Sequence, residues 1–181
     1  PDHYCLVYVD FQGLTDITPQ RFWRRVLKRI SQRICLPDLQ TASEKLAEQP
    51  SLDLFDLEDM FEIAQRAGYI IVLFMDEFEY ITQNPNFGPD FFGGLRALAI
   101  HHGLAMIPAT RCELVDLCHS KEIKGSPFFN IFANIALRPF ERSEVDELLE
   151  TYSLNSPYGI APQERDFVWK LAGGHPLFVQ M

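Results

Sequence analysis

Residues 70–77 read Ile-Ile-Val-Leu-Phe-Met-Asp-Glu, six apolar side chains running directly into two adjacent carboxylates. A strand with one wet face alternates in polarity. A fully apolar run therefore predicts a strand covered on both faces, as in a parallel sheet flanked by helices. Sheets of that kind bind ligands just beyond the carboxyl ends of their strands. Asp76 and Glu77 fall at that position, so the expected fold class is α/β with acid chemistry at a strand tip.

The rest of the chain fits that frame. Its 181 residues suit one domain, or one and a fraction, and a hydrophobic fraction of 47% supplies a sizeable core. A formal net charge of −9 argues against bulk nucleic-acid or membrane-surface binding. No apolar run reaches the length of a membrane span and no signal peptide is visible. Cys5, Cys35, Cys112 and Cys118 have no zinc spacing and read as reduced, mostly buried thiols of a cytoplasmic protein. The chain opens Pro-Asp-His and stops at Met181 inside an expected helix. It reads as a piece of a longer protein.

Strands are expected at 4–11, ending near Asp10, then from Tyr69 into Asp76, at 104–107 and at 131–137. Thr18 and Pro19 predict a helix start, with Phe22, Trp23, Val26, Leu27 and Ile30 on its inner stripe. Its arginines and lysine read as a solvated back, with phosphates or an acidic partner as the other reading. Residues 37–51 carry two prolines and read as a loop. A helix over 53–67 turns inward Leu57, Met60, Phe61 and Ala64 and ends at Gly68. Another is expected over 90–102. Pro108 should end the third strand, leaving Thr110 and Arg111 at its tip. A short helix is expected near 112–119 and a loop over 120–129.

Past Pro139 only helices are expected. Ser143 caps one bearing Val145, Leu148, Leu149 and Tyr152. Pro162 opens another, with Phe167, Val168 and Leu171 inward, and Gly173-Gly174 ends it before His175-Pro176 starts the next. The division expected is an α/β core over 1–140 and the start of a helical lid over 141–181.

Four stretches then occur in order: Leu-Phe-Met-Asp-Glu-Phe-Glu, Pro-Ala-Thr-Arg, Ser-Pro-Phe-Phe-Asn through Leu-Arg-Pro-Phe, and Leu-Ala-Gly-Gly-His-Pro. Together they resemble the signal-transduction ATPases with numerous domains (the STAND class), within the AAA-type P-loop NTPases, over almost the whole chain. The resemblance implies a Walker B strand in which Asp76 supports Mg²⁺ and Glu77 orients the attacking water. It implies that Arg111, beside Thr110, is the sensor that meets the γ-phosphate of ATP, a task suited to a planar guanidinium. It implies that Pro176 packs on adenine, with Gly174 and His175 close by, so that the lid reports ATP or ADP. The implied partners are the nucleotide, effector or sensor domains of the same parent chain and a possible second copy.

One element of that chemistry is missing. No Gly-x-x-x-x-Gly-Lys-[Ser/Thr] occurs in the sequence, although that loop cradles the phosphates with backbone N–H groups and a lysine. The expectation is that the loop and its strand lie upstream, that their strand fits between 104–107 and 131–137, and that those two segments do not pair directly. Three functions follow. The first is a nucleotide-dependent switch. The second is a nucleotide-free scaffold or protein-interaction module on a degenerate fold. A helicase-like motor ranks last, because the third strand ends Ala-Thr-Arg and a helical lid follows it.

Overall fold

The computed structural model describes residues 3–117, 127–154 and 159–181. It divides into two units, residues 1–133 and 134–181.

The first unit is built on three parallel strands in the order β1-β2-β3: β1 (His3–Asp10), β2 (Tyr69–Asp76) and β3 (Leu104–Pro108). Between them run α1 (Pro19–Arg33), α2 (Pro37–Glu48), α3 (Leu54–Arg66), α4 (Glu79–Thr82) and α5 (Pro89–His101). Two 3-10 turns follow, at Leu114–Leu117 and Pro127–Ile131. The strand register places Cys5, Ile71 and Leu104 in one row, and Val7, Leu73 and Met106 in the next. This face packs on α1, α3 and α5. Phe11, Phe22, Trp23, Phe87 and Phe91 pack edge-on or stacked beneath it, with ring centroids 4.6–6.5 Å apart.

The opposite face departs from the expectation of a sheet covered on both sides. Tyr4, Leu6 and Tyr8 on β1 and Ile107 on β3 are exposed, and only the central Val72 is buried there. No described helix of this unit covers that face. The unbroken apolar run of β2 before Asp76 therefore reflects its central place in the sheet more than helices on both sides.

Local chemistry explains the helix starts. Thr18 accepts from Arg21 N and Pro19 occupies the first turn of α1, as expected. At α3, Asp53 accepts from Asp56 N at 2.9 Å while Asp56 accepts from Asp53 N at 3.2 Å, a reciprocal capping box. Asp53→Ala removes the bond that Asp53 accepts from Asp56 N, leaves its own N–H bond to Asp56, and should cost about 1 kcal/mol. Urea unfolding followed through the tryptophans would show it, and an unchanged midpoint would mean the box contributes nothing.

Three expectations need correction in this unit. Residues 37–48 form α2, not a loop: Pro37 sits in its first turn and Pro50 lies beyond its end. Neither proline interrupts the interior, and Leu39, Ser43 and Leu46 form a buried stripe. In place of the helix expected near 112–119, the described residues form a 3-10 turn at Leu114–Leu117. Cys35 and Cys112 are exposed, and of the described cysteines only Cys5 is buried. Burial pushes the Cys5 thiol up to about 11, against a smaller opposing effect of Arg33, so it stays an unreactive thiol. Cys118 and the loop through Gly125 and Ser126 lie outside the described residues.

Residues 132–141 contain no strand, which overturns the fourth strand expected at 131–137. A strand needs a partner for its backbone, and none stands beside this segment among the described residues. Ile135 and Leu137 are 85% and 95% exposed. Among the described residues the edge of β3 away from β2 is likewise unpaired, and with no strand at 131–137 the expected gap between two strands has no second strand to border it.

The second unit comprises α6 (Arg142–Leu154), α7 (Pro162–Ala172) and α8 (Pro176–Val179). Its small core is Val145, Leu149, Ala172 and Val179, joined by Phe140, Leu148, Ile160, Val168 and Trp169. Tyr152 is exposed, as are Phe167 and Leu171, the last two contrary to their expected inward placement. Val168 and Ala172, four residues apart, define the inner line of α7, and Phe167 and Leu171 fall on the neighbouring line. Ser143 lies inside α6 rather than capping it; Glu144 instead accepts from Glu141 N at 2.7 Å.

Candidate functional site

The parallel register brings the strand tips together. Asp10 stands beside Asp76, and Met75 beside Pro108. Backbone bonds continue past the ends: Phe11 N donates to Asp76 O (3.1 Å), Ala109 N to Met75 O (2.8 Å) and Phe78 N to Ala109 O (3.1 Å). The segment after β2 is thus tied to the segment after β3.

Asp76 is half-buried and held at both oxygens. Tyr8 Oη donates to Oδ2 at 2.7 Å and Glu77 N to Oδ1 at 3.0 Å. Tyr8 lies two residues before Asp10, the register partner of Asp76, so it reaches across as a diagonal neighbour on the same face. The bond to Asp76, reinforced by burial and the Asp76 charge, raises the Tyr8 phenol above its ordinary pKa. Asp10 accepts from Gln12 N at 2.8 Å and caps its turn.

Glu77 has φ +51°, the one positive φ outside glycine among the described residues. A left-handed non-glycine residue costs about 1–2 kcal/mol. Such strain persists only where surrounding bonds over-determine it, commonly at functional sites. The flanking bonds do so here, with Glu77 O accepting from Tyr80 N at 3.0 Å as α4 begins.

Arg111 reaches back to this turn. Its Nε donates to Glu79 Oε1 at 2.8 Å, and its Nη2 lies 3.7 Å from Glu77 Oε2. The bond to Glu79, with the charges of Glu77 and Glu79, raises the already high pKa of Arg111. Glu79 is 5% exposed. The Oε2 atoms of Glu77 and Glu79 are buried without a hydrogen-bond partner. Glu79 and Tyr8 are the participants that sequence reading missed. Glu79 was visible as the last acid of Asp-Glu-Phe-Glu; Tyr8 needed the register. Thr110 Oγ1 donates to Cys112 O at 2.6 Å, closing a turn.

Within the second unit, Gly173 (φ +55°) and Gly174 (φ +81°) form the C-terminal stop of α7. Phe140 N donates to Gly174 O at 2.8 Å. A Cβ on Gly174 would lie 2.1 Å from Phe140 O. The His175 ring is exposed and packs on Phe178 at 4.7 Å, and Pro176 occupies the first turn of α8.

Oxygen donors of this kind suit Mg²⁺, which keeps several waters and takes few protein ligands. Asp76 retains a lone pair on each oxygen, and the two orphaned glutamate oxygens can accept from metal-bound water. Among the described residues no three His, Cys, Asp or Glu side chains form a metal cage, so a metal here would also lean on water and phosphate oxygens. The residues present fit Mg²⁺; the glycine-lysine phosphate cradle is not among them.

A family model described as Novel STAND NTPase 2 matches residues 1–181. No curated protein matches the sequence. Two solved structures of the Aeropyrum pernix ORC2 protein are similar in fold, one an ADP form and one of ADPNP-ADP complexes. Each has a TM-score of 0.56 and 13% identity, with 84% of this chain covered. The chain spans only 37% and 36% of those two proteins.

Proposed function

Since the chain belongs to the Novel STAND NTPase 2 family, we propose that its strand tips are the acid-and-sensor half of an ATP-dependent switch. The observation that carries this reading is the cluster at the end of β2: a doubly held Asp76, a strained Glu77 and an Arg111 bridging Glu77 and Glu79. Bound Mg²⁺–ATP would supply the phosphoryl group and the charge that holds it. Asp76, fixed by Tyr8 and its own turn, holds the metal through water. Glu77 accepts a hydrogen bond from the attacking water and aims it. Arg111 offers guanidinium N–H groups to the terminal phosphate. Thr110 fixes the turn that presents Arg111. Residues 141–181 act as the lid, and Gly174, His175 and Pro176 form its nucleotide-contacting turn.

The phosphate cradle is assigned to an upstream segment whose strand pairs with the free edge of β3. Support comes from that unpaired edge and from a groove of about 250 Å³ along it, lined by Ile100, Leu104, Ala105, Met106, Ile131 and Phe132. Effector or sensor domains of the same protein, and a second copy, are the partners such a switch would drive. No described helix is long and apolar enough to cross a membrane. The free thiols suit the reducing cytoplasm, where we place the protein.

ATP binding to the full-length protein, measured with and without Mg²⁺, tests the reading. Asp76→Asn should leave metal-free binding intact and remove most of the gain that Mg²⁺ gives. An unaltered Mg²⁺ dependence would remove Asp76 from the site. Absence of any nucleotide binding would favour the scaffold reading.

A further inference from the structure

Glu79 is a nearly buried carboxylate, and its ion-pair partner is Arg111, a side chain that is itself 70% exposed. A buried carboxylate is strongly destabilising unless paired. One of its oxygens accepts from Arg111 Nε and the other has no hydrogen-bond partner. The bond uses Nε alone. A guanidinium carries five N–H groups, so the two Nη groups remain available. One of them already lies 3.7 Å from Glu77 Oε2.

We propose that Glu79 is a positioning residue that anchors Arg111 by its Nε and so aims the Nη groups at the β2 tip, where they pair loosely with Glu77 until a terminal phosphate takes that place. This rests on the nucleotide-switch reading above and adds a regulatory step to it. In the empty state Arg111 and Glu77 neutralise one another. A terminal phosphate draws the Nη groups away and releases Glu77 to hold water. Because Nε stays on Glu79, the arginine swings without leaving a buried charge unpaired. ADP lacks the terminal phosphate and leaves the Arg111–Glu77 pair closed, so the same contact separates the two nucleotides.

The test is the ratio of ATP to ADP affinity in the full-length protein, with each variant's thermal midpoint recorded alongside. Loss of a hydrogen bond to a charged group is worth at least about tenfold. Glu79→Ala should therefore lower the ATP/ADP affinity ratio at least about tenfold, as Arg111→Ala should, and the double variant should be no worse than either. Glu79→Gln keeps an acceptor for Nε and should restore most of the ratio. Should Glu79→Ala fail to fold, Arg111→Lys serves instead: it keeps a charge for Glu79, cannot make the fork, and should lose the ratio. If Arg111→Ala lowers the ratio while Glu79→Ala or Arg111→Lys leaves it intact, the positioning role is overturned and the switch reading stands. If Arg111→Ala leaves the ratio unchanged, both are overturned.

Discussion

Glu77→Gln in the full-length protein is expected to slow ATP turnover by about 10²–10⁴-fold, the range for removing a positioned general base, while ATP binding is retained. The isosteric amide can still touch water, but it accepts a proton far less readily. The choice of glutamine also keeps the backbone out of the comparison. Glu77 sits at φ +51° between a bond from its N–H to Asp76 and one from Tyr80 to its carbonyl. Glutamate and glutamine suffer the same left-handed penalty, so the strain cancels and the rate reports the carboxylate. Single-turnover hydrolysis and equilibrium nucleotide binding, measured on the same preparation, separate the two effects. Equal turnover would take Glu77 out of the chemistry and leave its strained φ without a catalytic reason.

The sequence made the β2 tip legible because local pattern encodes it. An apolar run followed by acids needs no tertiary context to place Asp76 and Glu77 at a strand end, and β3 with Thr110 and Arg111 follows by the same logic. What stayed hidden depended on register or on partners. The Tyr8–Asp76 bond exists because parallel pairing sets residue 10 beside residue 76, a distance in sequence that no periodicity reveals. The burial of Glu79 depends on where the one-turn helix α4 packs. The 131–137 segment failed for the opposite reason: its largely apolar run, Ile-Phe-Ala-Asn-Ile-Ala-Leu, reads as a strand, but strands require a neighbour to bond. Helix α2 was missed because its two prolines were counted as breakers without asking whether they fell inside it or at its borders. In the second unit, a helix whose apolar residues occupy two adjacent lines left the choice of inner line open.

Gly174→Ala separates the structural role of the Gly-Gly turn from any contact with nucleotide. At Gly174 two penalties act together. The φ of +81° is unfavourable for an L-residue by about 1–2 kcal/mol. The added Cβ would meet Phe140 O at 2.1 Å, with Phe140 C at 3.1 Å and N at 3.3 Å, all backbone atoms that cannot rotate aside. Overpacking of that kind typically costs another 1–3 kcal/mol, so a total of roughly 3 kcal/mol is expected. Moving Phe140 away would relieve the clash only by breaking its N–H bond to Gly174 O. The neighbouring Gly173 is the internal control. Its φ of +55° is also left-handed, but no atom lies within 4 Å of its would-be Cβ, so Gly173→Ala should cost about 1 kcal/mol. Amide exchange of α6 and α7 reads both variants against the wild type. A large loss of protection for Gly174→Ala and a small one for Gly173→Ala would assign the second glycine to the packing of this helical unit. Equal losses would mean that φ alone sets the cost and that the Phe140 contact yields freely.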